Sequence, residues 1–194
     1  MKHARQMMTQ VWKTRHSHSI RDEIGGIIMF ILAIWIGFAL DLILPLERFG
    51  LIPRRGAGLA GIFLMPFLHG NLQHIISNTV PLFVLMLLLA GSRANSGMVV
   101  ASITLLSGML LWLFGRPMIH IGASGLVFGL ITFLIFSGLF EKRILSIVVS
   151  VLVGFLYGGS LIAGVMPGQT GISWDGHLSG AVAGVVIAWL VARN

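Results

Sequence analysis

The sequence predicts an all-α, polytopic membrane protein, a bundle of six transmembrane helices with a long first external loop. The first indication is composition, because 56% of the residues are hydrophobic and 10% are charged, whereas a soluble domain carries about 25% charged residues. The second is that the apolar runs approach the roughly 20 residues that a transmembrane helix needs. The third is that the charged residues collect at the N-terminus and between these runs, as in polytopic membrane proteins.

The predicted spans follow the apolar runs along the chain, at residues 25–44, 75–90, 98–114, 123–140, 144–163 and 178–192. Residues 1–24 are predicted to be a short basic cytoplasmic tail, and 25–194 a single membrane domain. The apolar segment 56–68 is brief and interrupted by glycines and Pro66. It is therefore predicted to belong to the first loop, lying in the interface or dipping into the protein, where irregular backbone is tolerated.

The distribution of Lys and Arg predicts that both termini are cytoplasmic. With the N-terminus inside, nine of the 13 Lys and Arg residues fall on the cytoplasmic side, as the positive-inside rule requires. No cleavable signal peptide is evident, because the polar N-terminal stretch is long and the first apolar run reaches spanning length. A bacterial inner (plasma) membrane is the expected location.

Composition also excludes several classes of function. The chain has no cysteine, so disulfides, thiolate metal sites and cysteine nucleophiles are excluded. The net charge of +7 does not form a patch, and nucleic-acid binding is not predicted.

Polar residues occur at the same end of three predicted spans. Spans two, four and six run from outside to inside, and their outer ends carry His74 and Asn78, Ser124, and His177, respectively. Polar side chains at membrane depth are costly and are usually functional or mutually satisfied. The topology therefore predicts one polar site in the outer half of the membrane.

The segment Gly122-Ala123-Ser124-Gly125 opens the fourth span. Ser124 is predicted to lie in the first helical turn, where free backbone N–H groups and the helix dipole favour developing negative charge. This pattern is typical of a nucleophile, but it also fits a small-residue packing face, because Gly129 follows Gly125 by one turn.

His177 precedes Gly180 and Gly184, which share its helix face. If this face packs on the glycines of the fourth span, Ser124 and His177 come within hydrogen-bond reach, as activation of a serine requires. An intramembrane histidine can equally be a satisfied core group, a proton relay or a metal ligand.

His74 and Asn78 lie one turn apart on one face of the second span. Together with the Ser124 backbone N–H they could stabilise an oxyanion, or they could hold helices together as polar contacts. No carboxylate is placed to complete a triad, since Asp175 is predicted to cap a helix near His177. The chemistry predicted is that of a Ser–His dyad.

These residues resemble the three motifs of the rhomboid proteases, in the right order and on spans two, four and six. The motifs are His69-Gly70-Asn71-Leu72-Gln73-His74-Ile75-Ile76-Ser77-Asn78, then Gly122-Ala123-Ser124-Gly125, then Gly176-His177 with Gly180 and Gly184. The resemblance implies cleavage of single-span membrane proteins in or near the bilayer, without a metal or cofactor. Its implied partners are transmembrane protein substrates and the lipid bilayer. The oligomeric state stays open.

The resemblance also implies roles for individual residues. Ser124 is the nucleophile and His177 the general base, while His74, Asn78 and the Ser124 backbone N–H form the oxyanion hole with Gly122 nearby. Phe128 stands where the family often has a tyrosine that stacks on the catalytic histidine.

The first loop departs from the family pattern, because it lacks the common Trp-Arg pair and offers instead Glu47-Arg48 and the segment 53–55. Family analogy suggests that the fifth span and the first loop move to admit substrate. Gly154, Gly158 and Gly159 indicate that the fifth span either bends or packs closely.

Three alternatives remain. One is a catalytically inactive relative that binds membrane clients, although such proteins lose the serine or the histidine. Another is a transporter or channel that uses His74 and His177 as proton carriers, which leaves the Gly-x-Ser-Gly pattern unexplained. The third, an intramembrane metalloprotease, needs a ligand set such as H-E-x-x-H, which the sequence lacks.

Overall fold

The computed structural model describes residues 20–92, 94–169 and 171–193, and this part of the chain is all-α, without a β-strand. Its long helices are α1 (Ile20–Asp41), α2 (Leu72–Ala90), α3 (Ser96–Phe114), α4 (Ser124–Glu141), α5 (Ile144–Gly164) and α6 (Trp174–Ala192). Each is long and apolar enough to cross a membrane. The predicted fold class is confirmed.

The helix boundaries differ from the predicted ones by up to five residues. Helix α1 begins at Ile20 rather than at residue 25, and most of the tail predicted for 1–24 lies outside the described residues. Helix α6 begins at Trp174 rather than at 178. Hydropathy alone misses this turn because its polar residues, Asp175 and His177, are placed inside the helix.

Helix α4 lies at the centre of the bundle and α5 at its edge. In α4, 67% of the residues of the span are buried, against 6% in α5. Val153 is the one residue of α5 that is buried, and large apolar side chains such as Phe155 are exposed. The outward faces of the bundle are thus apolar, as a lipid environment requires.

Helices α4 and α6 pack backbone against backbone through glycines. A Cβ atom on Gly180 would overlap the carbonyl oxygen of Gly125, and one on Gly184 would overlap that of Gly129. Small residues permit this close approach. The contact expected between the two glycine faces is present.

The first loop consists of short helical turns, at Leu46–Phe49, Gly56–Gly58, Gly61–Leu64 and Met65–Phe67. Arg54 Nη1 donates to the carbonyl oxygens of Leu113 (3.1 Å) and Gly115 (2.8 Å) at the end of α3. The Trp112 indole donates to the Arg55 carbonyl at 3.1 Å. These contacts brace the loop in the absence of the Trp-Arg pair.

Candidate active site

Ser124 is the first residue of α4 and follows a backbone turn that only glycine adopts readily. Gly122 has φ +106°, a conformation that L side chains rarely adopt, and its N–H donates to the Met65 carbonyl at 2.8 Å. No side chain caps this helix end at Ala123. The first backbone N–H groups of α4, next to Ser124, therefore have no hydrogen-bond acceptor within the helix.

The His177 ring is held from two sides. It stacks on the Phe128 ring, with 4.1 Å between centroids and 9° between planes, and its Nδ1 lies 2.9 Å from the carbonyl oxygen of Gly164. Because Phe128 lies one turn after Ser124 on α4, the stack places the imidazole beside the start of that helix. The contact that the resemblance implies for Phe128 is present with a phenyl ring.

The backbones next to Ser124 and His177 touch. A Cβ on Gly125, which follows Ser124, would lie 3.4 Å from the carbonyl oxygen of Gly176, which precedes His177. Within the part of the chain that the structure describes, no hydrogen bond joins the Ser124 hydroxyl to His177. Catalytic hydrogen bonds are often long in a free enzyme and tighten when substrate binds.

His74 and Asn78 face the turn before Ser124. A Cβ on Gly122 would lie 2.5 Å from His74 Nε2 and 3.6 Å from Asn78 Nδ2. Asn78 is buried and donates one of its two amide N–H bonds to the His74 carbonyl at 3.0 Å, so the other is available. The predicted polar groups of α2, α4 and α6 thus converge at one end of the bundle.

His69, which sequence reasoning left without a role, lies behind this group. It is buried, its ring is 4.9 Å from that of His74 and tilted by 61°, and within the described residues its ring nitrogens have no hydrogen-bond partner. Burial, with the nearby His74, lowers the pKa of His69 to about 4, although the Phe67 carbonyl, which lies outside hydrogen-bond geometry, opposes the shift. His69 is therefore neutral near pH 7 and packs as an uncharged ring.

Asp175 does not act as the simple helix cap that the sequence suggested. Its carboxylate accepts from the Arg116 backbone N–H at 2.8 Å and from Arg116 Nη2 at 2.9 Å. The buried His120 joins this group, with Nδ1 2.7 Å from Ser173 Oγ and Nε2 3.0 Å from the Arg116 carbonyl. The cluster clamps the segment before Ser124 to the beginning of α6.

Sequence reasoning missed this cluster, although a signal was present. Arg116 and Asp175 are opposite charges that the topology places at the same end of the bundle. The Gly164 carbonyl left no such signal, because a backbone group is the same in every residue.

The apolar helices around a polar site at one end define an integral, multi-pass membrane protein. The Rhomboid domain matches residues 57–194, and the chain belongs to the rhomboid family, as its motifs predicted.

The chain is also similar to curated proteins, one of which is named as rhomboid-like. The chain is 46% identical over 154 residues to the uncharacterized protein Rv1337 of Mycobacterium tuberculosis, an alignment that covers 74% of this chain and 63% of that protein. It is 37% identical over 194 residues to the uncharacterized protein ML1171 of Mycobacterium leprae, covering 93% and 76% of the two chains. Rhomboid-like protein 11, chloroplastic, of Arabidopsis thaliana is 29% identical over 148 residues, covering 66% and 50%.

Proposed function

We propose that this protein is an intramembrane serine endopeptidase that cleaves single-span membrane proteins in or near the bilayer with a Ser–His dyad. The observation that carries the proposal is the convergence of three helix ends. The His177 ring stacks on Phe128 one turn after Ser124, while His74 and Asn78 face the turn that precedes Ser124. Membership of the rhomboid family supports the same chemistry.

In the proposed reaction the Ser124 oxygen attacks the scissile carbonyl carbon and His177 Nε2 takes the hydroxyl proton. The oxygen that becomes negative accepts hydrogen bonds from His74, Asn78 and the Ser124 backbone N–H. The C–N bond then breaks, and His177 gives its proton to the leaving amine. Water, activated by the same histidine, hydrolyses the acyl-enzyme and restores Ser124.

Replacement of either member of the dyad is expected to abolish the reaction. Ser124→Ala and His177→Ala should each eliminate cleavage of a transmembrane reporter, and the double variant should be no worse, because residues that act as one unit are not additive. A mechanism-based serine-hydrolase probe should label the native chain and not the Ser124→Ala chain.

The matched control is Ser146→Ala, at the opposite end of the bundle, where the hydroxyl donates to Glu141. It should be cleavage-competent and labelled. Clear turnover by Ser124→Ala would contradict the assignment of Ser124 and His177 as a catalytic dyad. Binding of membrane clients with neither labelling nor cleavage by the native chain would instead favour the inactive relative.

We further propose an N-in, C-in orientation in a bacterial plasma membrane. In that orientation nine of the 13 Lys and Arg residues would lie on the cytoplasmic side, and the reverse orientation would leave only four there. The candidate site then lies at the external end. Accessibility tags at Asn71 and Gly168 should report the outside, and tags at Asn95 and Asn194 the cytoplasm. Reversal at any of these positions contradicts the orientation.

A further inference from the structure

The hydrogen bond between His177 and Gly164 assigns the tautomer of the imidazole. A carbonyl oxygen only accepts, so His177 Nδ1, 2.9 Å from the Gly164 oxygen, must carry a proton. In a neutral ring the other nitrogen then has a free lone pair, and which nitrogen is protonated is set by the bond that its counterpart makes. His177 Nε2 is thus left as the basic nitrogen, the one that the dyad requires.

The Gly164 carbonyl has this bond to offer because of its place in the helix. Gly164 is the last residue of α5, and the last four carbonyls of a helix have no intrahelical donor. The same helix end carries a partial negative charge, which stabilises a protonated histidine beside it. The end of α5 thus supplies both an acceptor and a favourable field for the imidazolium that forms when Ser124 loses its proton.

No carboxylate among the described residues hydrogen-bonds to His177. Asp175, two residues before His177, accepts its short hydrogen bonds from Arg116. In serine proteases a carboxylate holds the histidine in the right tautomer and stabilises the imidazolium. Here the group in that place is the Gly164 carbonyl.

Packing explains why the residue at this position is glycine. A Cβ on Gly164 would overlap the Phe128 ring and would lie 3.2 Å from His177 Nδ1. Gly158 and Gly159, on the same helix, have nothing within 4 Å of a Cβ. The requirement for glycine is therefore specific to the position that contacts His177.

We propose that the backbone carbonyl of Gly164 is the positioning group of the catalytic site, the hydrogen-bond acceptor that orients His177 toward Ser124. It fixes the proton on His177 Nδ1 and stabilises the imidazolium through the end of α5. This inference rests on the proposed function for its catalytic meaning, while the assigned tautomer is a property of the free protein.

The direct test weakens the Gly164 carbonyl as an acceptor; the same substitution removes the Val165 N–H, which donates to the Ala163 carbonyl. Val165 is replaced by its α-hydroxy analogue, so that the Gly164 carbonyl becomes an ester carbonyl, a poorer acceptor. We expect kcat to fall about tenfold with KM unchanged, since a mispositioned or wrong-tautomer base acts on the chemical step. The matched control is the α-hydroxy analogue at Leu161, inside α5, which likewise removes one backbone N–H and weakens a carbonyl one turn earlier; it should leave kcat within about twofold of native.

The tautomer is read independently of turnover. In ¹⁵N-histidine NMR of the Ser124→Ala chain, with the His177 signal assigned by its loss in the Ser124→Ala/His177→Gln double variant, we expect Nδ1 to be protonated and Nε2 unprotonated. The ester at Val165 should shift the Nδ1–H signal or admit the other tautomer. If the Gly164 carbonyl served only folding, an ester variant with a native unfolding temperature would keep the native Nδ1–H signal.

A second set of variants uses the glycines. Gly164→Ala should lower kcat roughly 10²-fold, because small displacements at a catalytic contact have effects of this size, whereas Gly158→Ala and Gly159→Ala should be native. If Gly164→Ala fails to fold, the ester variant at Val165 still tests the inference.

A protonated Nε2 in the Ser124→Ala chain, or a native kcat in the ester variant, overturns the inference. A native chain that neither cleaves nor takes up the probe defeats the proposed function, and a protonated Nδ1 would then still support the assigned contact.

Discussion

Helices α4 and α5 are neighbours in sequence and opposites in packing. Helix α4 carries Ser124 and has 67% of its span buried, whereas α5 has 6%. Gly125 and Gly129 of α4 meet the α6 backbone, while a Cβ on Gly154, Gly158 or Gly159 of α5 has nothing within 4 Å. Glycine therefore permits a close helix–helix contact in α4, whereas in α5 it lies on an open face of the helix.

This contrast divides the candidate site into a fixed part and a part that depends on a peripheral helix. The proposed nucleophile Ser124 and the proposed oxyanion donors His74 and Asn78 lie on α4 and α2, whose spans are 67% and 33% buried. The acceptor for His177 Nδ1, the Gly164 carbonyl, sits at the end of α5. A displacement of α5 would therefore withdraw this acceptor from His177 Nδ1.

The first test of this comparison places valine at a glycine of the α4–α6 contact and, as a control, at glycines of α5. Gly180→Val should reduce turnover by about 10²-fold or more, because its side chain would overlap the Gly125 carbonyl and separate α6 from α4. Overpacking of this kind should also lower the free energy of unfolding by about 1–3 kcal/mol. Cleavage assays and thermal unfolding in detergent measure the two effects.

Gly154→Val and Gly158→Val on α5 are the matched controls, since a Cβ at either position meets nothing within 4 Å. Both should retain native turnover and native unfolding temperature. A folded Gly180→Val protein that cleaves at the normal rate would show that the α4–α6 contact does not set the Ser124–His177 distance. The candidate site could then not be divided into a part fixed by that contact and a part that depends on α5.

The fold could be predicted from the sequence because membrane helices depend on few rules. An apolar run of the length of a bilayer forms a helix, since its backbone must satisfy its own hydrogen bonds. The boundaries of α1 and α6 were missed because helices continue into polar residues near the interface, where hydropathy gives no signal. The state of the α5 glycines was not predictable either, because glycine permits both close packing and an open face.

The polar side chains of the candidate site could be predicted from the sequence, but its backbone groups could not. His74, Asn78, Ser124 and His177 stand out as polar groups at membrane depth, and the structure brings them to one end of the bundle. Arg116 and Asp175 could have been paired by charge, but two ions at one end have many possible partners. The Gly164 carbonyl could not have been found, because only the folded chain shows which helix end meets His177.

Asn78, a residue of the fixed part that faces the turn before Ser124, sharpens the comparison. Asn78→Ala should lower kcat by about 10²–10³-fold and leave measurable activity, the usual effect of removing one oxyanion donor while others persist. Since Asn78 is buried and its amide lies beside Gly122 and the turn before Ser124, the loss should fall on kcat and not on KM. Reporter cleavage kinetics measure both constants.

Ser77→Ala is the matched control for Asn78→Ala, because Ser77 is the preceding residue and its hydroxyl donates to the same His74 carbonyl that Asn78 contacts, at 2.8 Å. If Asn78 only held the end of α2 together, the two variants should lose similar amounts of activity and of stability. If Asn78 stabilises the oxyanion, only Asn78→Ala should lose turnover, with the probe reaction at Ser124 slowed in parallel. Unchanged turnover in a folded Asn78→Ala chain would make Asn78 a packing residue, and the oxyanion site would then consist of His74 and the Ser124 backbone N–H alone.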